Sequence, residues 1–446
     1  MKQQSRTPKN SSGRPRSGKG APDRGSLAFA LREAGRLVEK VIEGRNLSVV
    51  WEKALAAHAQ WTDAERGAIR DLAWNALRRY GRDDAVLVRL LSKPLPNSVR
   101  AVLLVALARL ESRPEQSYVV VDQAVEAVGS FAPALKGVAN GLLRNRIRRA
   151  DELIAELEED VCARWCHPKW WSDRVQRDHP QHWRSVLQAG NTHPPMALRI
   201  NPRRTTPNHV LAELGAAGLA ARVVDPGALL LDHPVPVSRL PGFAAGRLSV
   251  QDAGAQHAAT LLAARDGERV LDACSAPGGK TAHILELANV DLLALDLEPV
   301  RLQRVRDTLE RLGLSAQTRV ADAASLDQWW DGRRFDRILA DVPCSASGVV
   351  RRHPDIKWHR RERDIAAFAA NQARLLDALW QTLAPGGTML YATCSVFDEE
   401  NGAQLHAFCA RHDDARRLSL HGRKEVQLLP DAEHDGFYYA ALRKRG

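Results

Sequence analysis

Apolar side chains recur at Leu27, Leu31, Ala34, Val38 and Val41, at spacings of four, three, four and three, which puts them on one face of a helix. The same period continues through Leu72, Leu77, Val86 and Leu90, a nearly unbroken apolar run at 99–110, and Val121, Ala124 and Val128. Pro94, Pro96, Pro114 and Pro133 mark the breaks. Residues 26–150 are expected to form a bundle of about six or seven short helices. The pattern then becomes mixed over 151–245: a helical part rich in tryptophan (Trp165, Trp170, Trp171, Trp183), MALRIN, a helical VLAELGAAG, and the short β candidates LAARVV and ALLLD. The order β, α, β, β predicts a small α+β, RRM-like linking module.

From 246 onward strands and helices alternate. The strand candidates are RVLDAC (269–274), DLLALDL (291–297), TRVADA (318–323), DRILADV (336–342) and TMLYATC (388–394). Helical stretches lie at 280–288, at 298–312 with Leu302, Val305, Leu309 and Leu312 on one face, and at 364–383. Such alternation calls for right-handed crossovers and a parallel, doubly wound, Rossmann-like sheet over 246–446, with ligands beyond the carboxyl ends of the strands.

A chain of 446 residues exceeds what one core serves, so several domains are expected. The longest apolar run, AVLLVALA at 101–108, is far below the roughly 20 residues of a membrane span, and no membrane association is expected. Residues 1–25 carry seven Lys or Arg against one Asp among Pro, Gly and Ser, with no apolar segment after the charges, which reads as a disordered basic tail. Six cysteines are too few for a disulfide scaffold, so a reducing cytoplasm is expected. Cys162, Cys166 and His167 raise the question of a metal, but no second ligand pair follows at finger-like spacing and none is expected. The net charge of +11, about +5 of it outside the tail, favours a polyanion such as nucleic acid.

The first strand of the α/β part runs into a small-residue turn that leads to a helix. Gly278 and Gly279 allow close backbone approach there, and the helix N-terminus offers N–H groups to an anion or carboxylate. Asp296, at the end of the second strand, can accept ribose hydroxyls, a pairing shared by NAD and S-adenosylmethionine sites. The turn is not GxGxxG, and Asp322, at the end of a third strand, can accept from an adenine amino group, so S-adenosylmethionine fits better. The fourth and fifth strands end in ADVPCSASG and YATCS, which bring Asp341, Cys344 and Cys394 to the same edge. A thiol beside a methyl donor suits methylation of a pyrimidine at C5: thiolate addition at C6 makes C5 nucleophilic, and a carboxyl group such as Asp341 can support N3. Lys280 is a candidate for the positive charge that lowers a thiol pKa. Spacing alone does not choose between Cys344 and Cys394.

CSAPGGKT, DVPCSASGVVRRHPDIKW and YATCSVFDEEN resemble the signature motifs of RNA cytosine-C5 methyltransferases of the Sun, or Fmu, group, and 121–147 resembles the later helices of the NusB fold. The resemblance implies 16S rRNA, free or in a partly assembled small subunit, as substrate, an N-terminal NusB-like RNA-binding domain, and a monomeric enzyme. It implies Cys394 as nucleophile, Cys344 in product release, and a cofactor site of Cys274, Ser275, Ala276, Pro277, Gly278, Gly279, Lys280, Asp296, Asp322 and Asp341. Ser275 stands where the family commonly has alanine. RRHPDIKWHRRER, at 351–363, holds six Lys or Arg against two acids, so Arg351, Arg352 and Lys357 are expected to meet RNA, with Trp358 a stacking candidate for a flipped base. A tRNA cytosine-C5 methyltransferase and a non-catalytic RNA-binding or antitermination module are the alternatives.

Overall fold

The computed structural model describes residues 20–446; residues 1–19, most of the expected basic tail, lie outside the described residues. The described chain divides into two compact units, one running up to Leu77 and resuming over Asp83–Glu156, the other comprising Arg78–Arg82 and Leu157–Gly446.

The first unit is helical, drawing on α1 (Leu27–Ile42), α2 (Leu47–Ala57), α3 (Asp63–Arg78), α4 (Tyr80–Leu90), α5 (Asn97–Ser112), α6 (Ser117–Gly129), α7 (Lys136–Arg148) and α8 (Ala150–Glu158). Ser26 caps α1 by accepting from the Phe29 N–H, and the apolar stripe from Leu31 to Val41 is buried. The α5 helix is apolar almost all round and is buried accordingly, with α1 and α6 packed against it. Among the described residues no helix is long and apolar enough to cross a membrane.

The second unit opens with α9 (Val161–Trp165), α10 (Lys169–Asp178) and α11 (Trp183–Ala189), whose Trp171, Val175 and Leu187 pack with Phe397. A small antiparallel sheet follows, built from β1 (Met196–Ile200), β2 (Ala221–Val224), β3 (Ala228–Leu231) and β4 (Leu248–Val250) in the order β2-β3-β1-β4, with α12 (Pro207–Ala216) between β1 and β2. The expected β, α, β, β run is present. The fourth strand comes from sequence read as the start of the next domain, because a three-residue strand leaves no periodic signal.

The large sheet follows α13 (Ala253–Leu262). Its parallel strands are β5 (Arg269–Asp272), β6 (Asp291–Asp296), β7 (Gln317–Val320), β8 (Phe335–Asp341) and β9 (Leu383–Thr393), connected through α14 (Gly279–Leu287), α15 (Pro299–Leu312), α16 (Leu326–Trp329), α17 (Ile356–His359) and α18 (Glu362–Thr382). After α19 (Gly402–Arg411) come β10 (Ala415–Arg417), β11 (Val426–Leu428) and β12 (Phe437–Lys444). The strand order is β10-β12-β9-β8-β5-β6-β7, with β11 paired to β12. The five strands read from the sequence are parallel as expected, and β12, not among them, runs antiparallel to β9 and makes the sheet mixed. Successive strand residues serve opposite faces: Leu271, Ile338 and Tyr391 join one core cluster, Val270, Leu339 and Leu390 the other. The order reverses between β5 and β8, and the crevice at such a switch point is where an open α/β sheet binds ligands.

Candidate active site

The turn after β5 is shaped by one glycine. Gly278 has φ +98°, and a Cβ there would lie 2.9 Å from the Val305 Cα on α15, so the turn lies against that helix only with glycine at this place. Ser275 N–H donates to the Leu295 carbonyl at 2.8 Å, and Gly278 N–H to Ser275 O at 2.7 Å. Asp296 holds the turn from β6: its Oδ2 accepts from Ala276 N–H at 3.2 Å and its Oδ1 from Glu298 N–H at 3.1 Å. Asp322 lies two residues past β7, where it accepts from Ala324 N–H at 3.0 Å and pairs with Arg374 at 2.9 Å. Asp296, Asp322 and Asp341, at or just past the ends of β6, β7 and β8, thus lie along one edge of the sheet, with β5 between β8 and β6. Ser275 Oγ is buried with no protein partner, and an unpartnered hydroxyl beside a glycine turn fits a polar ligand.

Lys280, in the first turn of α14, donates to Asp341 Oδ2 at 2.5 Å, and its ammonium lies 5.8 Å from the Phe437 ring centre. Burial disfavours the charge on Lys280, but Asp341 and the nearby Cys394 outweigh it and hold the ammonium above its ordinary pKa.

Neighbouring strands β8 and β9 end level, with Asp341 opposite Ala392. Cys344 and Cys394 follow within three residues, and their sulfurs stand 3.4 Å apart. The Cys344 thiol is raised well above the ordinary range, first by its hydrogen bond to Cys394, then by burial and by the Cys394 and Glu400 charges. Cys274 is also raised, by burial among Asp341, Asp272 and Asp296, and keeps its proton. The crevice therefore gathers Cys274 to Lys280, Asp341, Cys344 and Cys394.

The basic stretch after Cys344 is arranged otherwise than expected. Arg351 is 2% exposed; it pairs through Nε with Asp435 and donates to the carbonyls of Asp431 at 2.7 Å and His434 at 2.6 Å. Arg352 pairs with the same Asp435 and with Asp252 at 2.7 Å. Lys357 is fully buried, donates to Asn191 Oδ1 at 2.7 Å, and is pushed down to about 7 by that burial. Trp358 is half-buried, with the Lys357 ammonium 5.5 Å from its ring centre. This corrects the reading of Arg351 and Lys357 as phosphate contacts, since both are buried in internal bonds; Arg352 keeps 30% of its side chain exposed beside its two ion pairs, and Arg360, Arg361 and Arg363 also reach the surface.

Two residues escaped the sequence reading. Glu400, fully buried, accepts from Ser345 and Ser395, the serines that follow Cys344 and Cys394. Asp272, at the end of β5, accepts from Thr281 Oγ1 at 2.6 Å. The repeated Cys-Ser pair and the acidic DEEN run were the signals available for the first; nothing but its strand-end place marked the second.

Comparison with known proteins agrees with this architecture. The family described as 16S rRNA methyltransferase RsmB/F matches residues 259–443, and an RsmF/B-like, ferredoxin-like domain matches 167–238. The chain is 42% identical over 424 residues, 92% of its length and 98% of the relative's, to ribosomal RNA small subunit methyltransferase B of Escherichia coli O6:H1. Among solved structures, that of PH0851 covers 94% of this chain and 99% of its own at TM-score 0.78 and 23% identity. A methyltransferase homologue from Pyrococcus horikoshii covers 64% of this chain and 97% of its own at TM-score 0.57 and 26% identity. At 42% identity over 92% of its length to a curated relative, the chain belongs to the ribosomal RNA small subunit methyltransferase B family.

Proposed function

We propose that this methyltransferase modifies C5 of a cytosine in 16S rRNA through a covalent bond between Cys394 and C6 of the base. The observation that carries this reading is the pair of sulfurs 3.4 Å apart at the ends of β8 and β9, beside the Lys280–Asp341 ion pair. The turn from Cys274 to Lys280, with Asp296 and Asp322, would hold S-adenosylmethionine, which when bound supplies the methyl group.

The raised Cys344 thiol keeps its proton, so Cys394 is the group that attacks, with Cys344 S–H placed to donate to it. Its electron pair forms the S–C6 bond, and the C5=C6 electrons move towards C5 and, through the ring, N3. An anionic carboxylate cannot donate to N3, so N3 draws on the proton carried by the Lys280–Asp341 pair. Once C5 is methylated, its proton must leave. Cys394, now bonded to C6, no longer accepts from Cys344, which releases its own proton to solvent and takes the C5 proton. The C–H pair re-forms C5=C6, the S–C6 bond breaks with its electron pair returning to Cys394, and N3 gives its proton back to the Lys280–Asp341 pair.

The test is to incubate Cys394→Ala and Cys344→Ala variants with 16S rRNA and S-adenosylmethionine and to separate the products on denaturing gels. Cys344→Ala should accumulate a protein–RNA adduct and Cys394→Ala none; an adduct with Cys394→Ala would reverse the two roles. Mapping the methylated base in 16S rRNA and in tRNA offered together decides the substrate, and exclusive methylation of tRNA would overturn the 16S assignment.

A further inference from the structure

Strand pairing alone does not fix the gap between the two sulfurs. Cys344 lies three residues past the last residue of β8 and Cys394 one past β9, so both sit in the loops that follow the strands. The loops meet directly where Gly348 N–H donates to the Cys394 carbonyl at 2.8 Å and Val396 N–H to Ser347 Oγ at 2.9 Å, and one carboxylate reaches the residue after each cysteine. Glu400 Oε1 accepts from Ser345 N–H at 2.7 Å and Gln372 Nε2 at 3.1 Å, and its Oε2 accepts from Ser345 Oγ at 2.5 Å and Ser395 Oγ at 2.6 Å. Glu400, Ser345, Ser395 and Gln372 are all fully buried.

Glu400 is itself anchored. Tyr391 OH donates to its carbonyl at 2.6 Å, and the adjacent Asn401 accepts from Thr393 Oγ1 at 2.6 Å and donates to the Ser395 carbonyl at 2.9 Å. Every donor to the carboxylate is neutral, so its charge is balanced by four hydrogen bonds and by no salt bridge. A buried carboxylate solvated this way is costly to break and holds its donors in one geometry.

We propose that Glu400 is a positioning residue for both thiols, its buried carboxylate fixing the loop after Cys344 against the loop after Cys394 and so setting the distance across which they act. The proposal rests on the two-cysteine reading above. A second consequence follows from charge: Glu400 is one of the groups that keep Cys344 protonated. Burial raises the pKa of Glu400 itself, while the hydrogen bonds from Ser345, Ser395 and Gln372 favour its charged form.

The test uses the full-length protein and a readout independent of methylation. Diamide, as the oxidant, takes two hydrogens from the Cys344 and Cys394 thiols and leaves a disulfide, scored by mass spectrometry of the cross-linked peptide. Wild type should cross-link readily, and Glu400→Ala at least tenfold more slowly. Glu400→Asp keeps the charge but is too short to reach both serines, so it should also be slow and stands in for the alanine variant if that one does not fold. Glu400→Gln keeps the reach, since serine hydroxyls can accept from its amide; it should cross-link like wild type while the pH midpoint for alkylation of Cys344 by iodoacetamide falls by at least about half a unit. A merely structural role would not move that midpoint. In the rRNA assay Glu400→Ala should lose turnover with KM for RNA nearly unchanged and accumulate adduct. Wild-type cross-linking rates in Glu400→Ala and Glu400→Asp would overturn the proposal, whereas absence of any wild-type adduct or methylation would overturn the two-cysteine reading and leave the cross-linking result standing.

Discussion

Asp272 ends β5 with a side chain 1% exposed, one oxygen bonded to Thr281 and the other without a protein partner. Burial pushes its pKa from 3.8 up to about 7; the Thr281 hydrogen bond works against the rise and the neighbouring Asp341 adds to it. An acid whose folded pKa lies above its unfolded value keeps its proton in the native state after the unfolded chain has lost it. Native Asp272 therefore binds more protons than the unfolded chain between about pH 4 and 7, stability falls over that window, and above pH 7 the full penalty, on the order of 4 kcal/mol at most, is in place. Asn in its place can accept from Thr281 and carries no such dependence. The melting temperature of Asp272→Asn relative to wild type should rise from pH 5 to about pH 7 and level off above it; an offset constant with pH would mean that Asp272 is ionised throughout.

The elements around the crevice are fastened to one another by side chains that local patterning does not reveal. Arg199 on β1 makes a two-pronged ion pair with Glu286 on α14 at 2.7 and 2.8 Å, and donates to the carbonyl of Gly279 at 2.7 Å, so the small sheet is fixed to the glycine turn. Both partners are about 2% exposed or less. Arg199→Met alone leaves Glu286 buried and unpaired, which should cost about 3–5 kcal/mol, whereas Arg199→Met with Glu286→Met should recover most of that stability. Neither variant regains the tether to Gly279, so calorimetric binding of S-adenosylmethionine should stay weaker in both; a double variant no more stable than the single would count against the buried pair. The same distinction between local and distant partners explains what was legible in the sequence. β5, β6, β8 and β9 were readable because each is an apolar run between turn residues, and the cysteines at the ends of β8 and β9 followed from that reading. β12 was not: FYYAALRK stands at the end of a polar stretch with no helix to mark a crossover, and it becomes a strand by pairing with β9. Arg351 looked like a surface cation because Asp435, which neutralises it, lies 84 positions away. Glu400 was in view within its motif, but its serine partners on two loops become neighbours only in the folded sheet.

For the molecule as a whole, formal charge overstates what RNA can meet in the folded part. Arg199, Lys280, Arg351, Arg352 and Lys357 are all engaged by internal carboxylates or amides. Residues 1–19, by contrast, contain six Lys or Arg and no Asp or Glu. Phosphate contacts release counterions, and each contact adds about 0.7 for single-stranded or 0.9 for duplex nucleic acid to the slope of log K against log salt. If these six charges contribute to rRNA binding, deleting residues 2–19 should lower that slope by at least about 2, towards a ceiling of about 4–5 when all six are engaged. Because the cysteines and the cofactor turn are untouched, kcat at saturating rRNA should match the full chain while KM for rRNA rises, and the rise should shrink as salt is added and screening replaces the lost contacts. Filter-binding titrations between 50 and 300 mM KCl, run beside single-turnover methylation, separate the two effects. An unchanged slope would assign the electrostatic grip to the folded residues, and a fall in kcat would mean that the segment acts on the chemistry rather than on binding.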